Sequence, residues 1–479
     1  MNKTQLKKLK KIVSRERTLV YDALTKQKLT SAFKFCDGFK TFLDQSKTER
    51  EAVRQIMLAA EKKGFVNIDT LAGKKSRDVK KIYKVFDDRC IALAVPGKNP
   101  IESGANIIAS HIDSPRLDIR QNPVYEDLSL GLMKTHYYGG IRKYHWLGVP
   151  LSLHGTVILS DNTPVDIIIG EDPKDPVFTI SDLLPHLAGK LQSNKKLIDV
   201  FEGEKLNLLA GSFPLGDKKE KDRFKLGVLK ELYEKYGIIE EDFVSAELEV
   251  VPAEKARDIG FDRSMIGAYG QDDRVCAYTS LQAILEQETP QSTLLALFFD
   301  KEEIGSEGSS GAKSNFLEDL ISDLLVIQGS SADNRSLRKA LIRSSCLSAD
   351  VNAAMDPDFK DVHEPLNAAK LGFGVCMAKF TGVAGKAGSS DASAEFVGQI
   401  RHIFNENNII WQTGELGKID HGGGGTVAKF LAKYGMDVLD CGPALLSMHS
   451  PFEVSSKTDI YMTYLAYRTF FTKNRTGNR

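Results

Sequence analysis

Five short segments of the sequence place acidic or histidine side chains just beyond strand-like apolar runs. They are residues 109–115 (ASHIDSP), 270–274 (GQDDR), 298–306 (FFDKEEIGS), 348–352 (SADVN) and 446–453 (LSMHSPFE). Ligands of open α/β sheets gather at the carboxyl ends of the strands, so side chains distant in sequence can converge there. Imidazole and carboxylate groups together suit zinc, and also manganese or cobalt. The pattern therefore indicates metal-dependent chemistry, of which two-metal hydrolysis is one form.

The first segment pairs His111 with Asp113. Residues two apart in an extended segment point to the same side, so Asp113 can lie beside His111. There it would fix the tautomer of the imidazole and raise its basicity, as metal-binding histidines require. The alternative is a strand end with a capped turn before Pro115, which this pair alone would favour.

The acidic segments offer carboxylates for two different tasks. An aspartate at 272 or 273 could bridge two cations, because each carboxylate oxygen can bind one ion. The alternative is that these acids only cap the helix that follows and complement its dipole. Of the adjacent Glu302 and Glu303, one could bind a metal while the other takes a proton from water. A solvated loop is the alternative interpretation there.

Taken together, the segments hold a complete set of groups for hydrolysis with two metal ions. Asp350 on its own, or a lone histidine such as His449, would be weak evidence for a metal site. The candidate ligands are His111, Asp272, Glu303, Asp350 and His449, with Glu302 left over as a base. Five ligands with one shared carboxylate give three per metal and leave positions open for water and substrate.

Composition narrows the class of protein. The chain has 479 residues, with 64 basic and 64 acidic side chains and therefore no net charge. This excludes attachment to nucleic acid or membrane by net charge alone. Six scattered cysteines without a CxxC pair indicate reduced thiols rather than a disulfide framework or a zinc ribbon. The basic start lacks the apolar run of a secretory signal, and no apolar run near the motifs is long enough to span a bilayer. We predict a cytoplasmic protein without nucleic-acid or membrane partners.

The segments that must position these groups alternate between strands and helices. Strand-like runs at 90–95, 106–110, 294–299, 346–349 and 436–439 are separated by helical patterns. Such alternation predicts an α/β fold with a mixed, mostly parallel sheet flanked by helices. Residues 117–254 differ, because short alternating segments and turn residues predominate there. We therefore predict a catalytic domain formed by 1–116 and 255–479, with a β-rich domain inserted at 117–254.

In this order and at these spacings, the five segments resemble the M18 family of metallo-aminopeptidases, which contains aspartyl aminopeptidase and yeast vacuolar aminopeptidase I. The resemblance covers nearly the whole chain. It implies a zinc-peptidase-like catalytic domain with two zinc ions per subunit, with Mn²⁺ or Co²⁺ possible. It also implies an inserted domain used for dimerisation, and a homo-oligomer in which dimers assemble into a dodecamer.

The resemblance also implies a role for each site residue. In these roles, His111 and Asp350 hold one metal, Glu303 and His449 hold the other, Asp272 bridges them, Glu302 is the general base and Asp113 orients His111. The expected activity is the release of N-terminal amino acids from peptide substrates.

Departures from aspartyl aminopeptidases concern the substrate. The lysine that these enzymes are thought to direct at an acidic substrate side chain falls on Gly374 here, and Lys370 lies four residues earlier. A pocket without a fixed cation would only desolvate an acidic side chain, so neutral N-terminal residues become the alternative. The inserted segment keeps His186, but a second histidine, thought to reach a neighbouring active site, is replaced by Lys190.

Two further hypotheses remain open from the sequence. A related two-metal amidohydrolase, such as a carboxypeptidase or deacetylase, could use the same catalytic core. A non-catalytic assembly protein is a candidate from another class, although the complete ligand set argues against it. The glycine-rich run 421–426 lacks the lysine of a phosphate-binding loop, and we predict close backbone packing there beside the metal site.

Overall fold

A nine-stranded mixed sheet forms the centre of the molecule, and its strand Thr293–Phe299 shows why the sequence folds this way. Alternate side chains of this strand enter two separate cores: Leu294, Ala296 and Phe298 enter one, and Leu295, Leu297 and Phe299 the other. A strand covered on both faces has a continuous apolar sequence. The computed structural model describes residues 1–71 and 79–474 of the chain.

The central sheet has parallel strands where the five segments require them. From edge to edge its strands are Val66–Asn67, Ile82–Phe86, Cys90–Val95, Thr293–Phe299, Ala105–His111, Ser345–Ser348, Asp437–Gly442, Val375–Ala378 and Trp411–Thr413. The four strands Thr293–Phe299 to Asp437–Gly442 run parallel to one another. Their carboxyl ends therefore meet at one edge.

Helices cover both faces of this sheet, and the mixed α/β prediction is confirmed. The α-helices of the described residues are Lys3–Val13, Val20–Ala23, Lys26–Asp44, Glu49–Glu61, Pro185–Gln192, Leu197–Val200, Arg223–Tyr236, Gln271–Leu285, Phe316–Ile327, Asn334–Ile342, Ala394–Glu406, Ala428–Ala432 and Lys457–Lys473. The helices Gln271–Leu285 and Lys457–Lys473 pack on one face, and Phe316–Ile327 packs on the other. Within the described residues, none of the helices is long and apolar enough to cross a bilayer.

Residues 116–252 form a second, antiparallel sheet with its own apolar core. Its six strands are, in spatial order, Pro164–Ile169, Leu151–Ile158, Glu247–Pro252, Arg116–Asp127, Leu130–Tyr138 and Leu208–Gly211. The region also contains the helix Arg223–Tyr236, which the β-rich pattern did not predict. Trp146 is fully buried in this core. The domain boundaries at 117 and 254 stay a prediction.

Two smaller sheets complete the architecture. One has the five strands Arg257–Ile259, Met265–Ala268, Glu453–Ser456, Ala444–Leu446 and Asn352–Ala353, and the other pairs Gly382–Val383 with Gly423–Gly424. The five-stranded sheet positions the loop between Ala444–Leu446 and Glu453–Ser456. All six cysteines are buried and free, as the sequence predicted.

Candidate metal centre

Three neighbouring parallel strands end at the candidate site, and each presents one or two acidic or histidine groups to it. His111 is the last residue of the strand Ala105–His111. Glu302 and Glu303 form a short 3₁₀ turn just after Thr293–Phe299, and Asp350 follows Ser345–Ser348. This is the convergence at the strand ends that the sequence pattern predicted.

Asp272 and His449 reach the site from outside the central sheet. Asp272 lies at the start of the helix Gln271–Leu285, and the Asp272–Asp273 peptide bond is cis. The Nε2 atom of His111 lies 3.3 Å from Oδ1 of Asp272, and Nε2 of His449 lies 3.2 Å from Oδ2 of the same carboxylate. His449 Nε2 is also 3.4 Å from Oε1 of Glu303. Each oxygen of Asp272 therefore faces a different histidine.

The donor atoms fit a metal centre. Those of His111, Asp272 and Asp350 lie within 4.8 Å of one another, as do those of Asp272, Glu303 and His449. A third such group joins His111 to Glu302 and Glu303. Nitrogen and carboxylate oxygen ligands of this kind suit zinc. The structure thus brings together the five candidate ligands and Glu302, the candidate base.

The electrostatics of the cluster also fit bound cations. Burial raises the pKa of Glu302 to about 7, and the charges of Asp113 and Asp272 add to that rise. Burial and then Asp272 raise the pKa of Glu303 well above its usual value. Burial is also the main cause that raises the pKa of Asp350. Several buried carboxylates thus compete for two imidazoles, and a bound divalent cation would offset this surplus of negative charge.

Histidine protonation follows from the same carboxylates. Burial on its own would lower the pKa of His449, but contacts with Asp272 and Glu303 raise it to about 11. For His111 too, burial would lower the pKa, but hydrogen bonds to Asp113 and Asp272 outweigh it and raise the pKa well above its usual value. Asp272 shows the reverse, because its two histidine partners outweigh burial and lower its pKa. The shared carboxylate is therefore ionised, unlike the neighbouring carboxylates whose pKa burial raises.

Asp113 lies behind His111, as the spacing predicted. Its Oδ1 is 3.3 Å from Nδ1 of His111, and the side chain is fully buried. The backbone N–H groups of Glu302 and Glu303 each donate to Asp113, both at 3.1 Å. Asp113 therefore connects the histidine of one strand to the acidic turn of the next.

Sequence reasoning missed the role of Glu453. This buried carboxylate accepts hydrogen bonds from the backbone N–H of His449 at 2.7 Å and of Asp272 at 3.0 Å. It thereby ties the loop of His449 to the start of the helix that carries Asp272. Its place in the last motif was the only signal available, since the contact with Asp272 spans 181 residues.

A cavity of about 860 Å³ opens over these groups. Its walls combine Phe380, Leu416 and Phe430 with the glycine-rich segment 422–425, which agrees with the predicted close backbone packing. Its lysines are Lys386, Lys418 and Lys429. A large concave cavity in which apolar walls surround convergent polar groups is typical of a binding site.

Gly374 and Lys370, whose bearing on the substrate the sequence left open, do not line this cavity among the described residues. Gly374 has a φ of +81°, and a Cβ there would lie 2.0 Å from the carbonyl oxygen of Ile410. A side chain at this position would clash with the backbone, and the bearing of this position on substrate preference stays a prediction.

Comparison with known proteins agrees with this geometry. The family model for aminopeptidase I zinc metalloprotease (M18) matches residues 42–471. A probable M18 family aminopeptidase 1 from Clostridium acetobutylicum is 49% identical over 452 residues, which are 94% of this chain and 97% of that relative. A crystal structure of an M18 family aminopeptidase from Thermotoga maritima superposes with a TM-score of 0.92 at 47% identity, covering 96% of this chain and 100% of that one. The mApe1 dodecamer of S. cerevisiae shares the fold, with a TM-score of 0.73 at 19% identity over 92% of this chain and 96% of that one.

Proposed function

Since the chain belongs to the M18 family of aminopeptidase I zinc metalloproteases, we propose that it holds two zinc ions and releases N-terminal residues with Glu302 as general base. His111 and Asp350 hold one ion, Glu303 and His449 hold the other, and Asp272 bridges them. The position of Asp272 carries this proposal, because its two oxygens face different histidines at 3.3 Å and 3.2 Å. A carboxylate shared by two ligand groups supports two ions rather than one.

The zinc ions and the residues around them have separate roles in the proposed reaction. Bound zinc supplies Lewis-acid polarisation of the scissile carbonyl and lowers the pKa of the attacking water. Glu302 lines the cavity and belongs to neither of the groups that share Asp272. Its carboxylate accepts the proton of the attacking water and then passes it to the leaving amine. Asp113 holds Nδ1 of His111, which keeps Nε2 directed at Asp272.

The substrates are peptides with a free N-terminus, and the active form is a homo-oligomer. The first part is supported by the relatives, which are named as aminopeptidases. Exposed apolar side chains support the second, because Leu184, Leu187 and Leu191 on and before the helix Pro185–Gln192 are each about half exposed or more. Such a patch on one chain is typical of a protein interface. Sedimentation velocity should give a mass that is a multiple of 52.9 kDa.

Two measurements test the activity. Zinc-loaded protein should hydrolyse a panel of aminoacyl anilides carrying Leu, Met, Ala, Lys, Asp or Glu, and should fail on the N-acetylated forms. Turnover of blocked substrates would instead support the related amidohydrolase. The panel also decides whether the enzyme prefers acidic or neutral N-terminal residues. The cavity leaves this choice open, because its lining contains lysines as well as apolar side chains.

The variant Glu302→Gln tests the base. It should lose about 10²–10⁴-fold in kcat, because proton transfer through this group is removed. Zinc content measured by elemental analysis should stay at two ions per chain. Glu307→Gln is the matched control, since Glu307 lies in the same loop, is largely exposed and pairs with Lys313. Wild-type turnover by Glu302→Gln, in protein free of other peptidases, would contradict its role.

A further inference from the structure

The turn that follows the strand Leu130–Tyr138 of the second sheet reaches the outer side of both histidines. The hydroxyl of Tyr138 donates to Oδ2 of Asp113 at 2.8 Å. The backbone carbonyl of Gly140 lies 3.0 Å from Nδ1 of His449. Two residues of one turn thus contact the two halves of the metal centre.

The Tyr138 hydroxyl completes the hydrogen bonding of Asp113. That carboxylate is fully buried and already accepts two backbone N–H groups from the acidic turn. Burial, together with the charge of Asp113, raises the pKa of Tyr138, so its hydroxyl stays protonated and remains a donor. Without it, Oδ2 of Asp113 would lose one of its two donors and keep the backbone N–H of Glu303.

Two glycines allow the turn to come this close. A Cβ at position 139 would lie 3.2 Å from Cβ of Glu303, and the φ of Gly139 is +70°. A Cβ at position 140 would lie 3.2 Å from Nδ1 of His449. The backbone of the turn therefore packs directly against two of the candidate ligands.

The ring of Tyr138 is held from the other side. The guanidinium of Arg116 stacks on it at 3.9 Å from the ring centroid. Arg116 is buried and lies 3.0 Å from Glu249 of the second sheet and 3.5 Å from Glu49 of the helix Glu49–Glu61. The orientation of the hydroxyl thus depends on how the second sheet is seated against the catalytic part.

We infer that the turn Tyr138–Gly140 is a positioning element that orients His111 through Asp113 and His449 directly, so that zinc affinity depends on the seating of the second sheet. The inference rests on the proposed function, in which both histidines bind zinc. Groups that hold a metal-binding histidine from behind typically change metal affinity 10–100-fold when they are removed. Residues of the second sheet thereby belong to the metal centre without binding metal themselves.

The test is the zinc affinity of two variants, measured by titration against a competing chromogenic chelator. Tyr138→Phe keeps the ring on Arg116 but removes the donor, and we expect one of the two zinc equivalents to bind about 10–100-fold more weakly. Gly140→Ala pushes on His449 and should weaken the other equivalent. Melting of the protein in EDTA should change little in either variant, whereas a purely structural role would lower the melting temperature and leave the zinc constants unaltered.

Matched controls are Tyr137→Phe, at the exposed neighbour of Tyr138, and Gly189→Ala, where a Cβ meets nothing within 4 Å. Both should bind zinc as the wild type does. Zinc constants within twofold of wild type in both Tyr138→Phe and Gly140→Ala would overturn the inference. If the wild-type chain itself bound no zinc, the proposed function would fail instead, so the two failures are distinguishable.

Discussion

Two buried clusters of histidine and carboxylate groups in the described part of the chain behave in opposite ways. One is the candidate metal centre. The other, which we call the His154 cluster, consists of Lys47, Glu51, His154 and Glu171. Here His154 Nδ1 lies 2.8 Å from Glu51 and Nε2 lies 3.2 Å from Glu171, while Lys47 Nζ is 2.6 Å from Glu171. Both clusters join the catalytic part to the second sheet.

The directions of the pKa shifts separate the two clusters. Burial alone would raise the pKa of Glu171, but contacts with His154 and Lys47 lower it. In the metal centre, burial and Asp272 raise the pKa of Glu303 instead. Two cations balance two carboxylates around His154, whereas the metal centre has more acids than bases. Charge balance, rather than residue type, therefore distinguishes a closed ion-pair network from a site that takes cations.

The largest expected effect comes from removing the shared carboxylate. In Asp272→Ala both ligand groups lose a member, so we expect zinc content to fall from two ions per chain to none and peptidase activity to fall to background. Elemental analysis after dialysis measures the first, and the anilide panel measures the second. Retention of one tightly bound ion would show that the two halves of the centre are independent, and would weaken the proposed bridge.

Removal of one charged partner from the His154 cluster should lower the stability of the folded chain and leave zinc binding unchanged. Glu171→Ala leaves Lys47, which is 3% exposed, without its carboxylate. We expect the free energy of unfolding to fall by about 3 kcal/mol, because a buried charge loses its partner. Denaturant unfolding measures this loss. Zinc content should not change, and a drop in zinc affinity would contradict the distinction between the two clusters.

An intermediate effect is expected at Glu453, which supports the metal centre from behind. Glu453→Gln keeps the size of the side chain but has a single acceptor oxygen for the two backbone N–H groups of His449 and Asp272. We expect zinc to bind about 10-fold more weakly. Glu415→Gln, in the cavity wall, is the control. Unaltered zinc binding in Glu453→Gln would mean that the two loops hold their positions without this carboxylate.

How much of this could be predicted from sequence depends on how local the signal is. His111, Glu303 and Asp350 each follow an apolar strand, so their convergence was predictable from the strand pattern and the rule for parallel sheets. Contacts between residues that are far apart in the chain leave no pattern in the local sequence. The hydrogen bond between His449 and Gly140 spans 309 residues, and both partners lie in turns.

The balance of charge in each cluster could not be predicted from the sequence either. His154 and His111 both lie on strands, and the sequence around His154 does not show which charged groups pack against it. The difference arises only when Lys47, more than a hundred residues away, packs against Glu171. The position of Gly374 outside the cavity was equally unpredictable, because its backbone N–H donates to Oδ1 of Asp459, which lies 85 residues away in the sequence.

The smallest expected effect is the pH dependence of the His154 cluster. Burial alone would lower the pKa of His154, but hydrogen bonds to Glu171 and Glu51 raise it above the usual 6.5. Protonated His154 therefore stabilises the folded chain fully below pH 6.5, and this contribution is lost as pH rises through the folded-state pKa. We expect wild type to melt above His154→Gln by roughly 2 °C at pH 6, and by less at pH 9. Because both chains share the metal centre, its own titration cancels in this difference. A gap that widened with pH would mean that His154 is buried neutral, and the contrast between the two clusters would then not rest on charge balance.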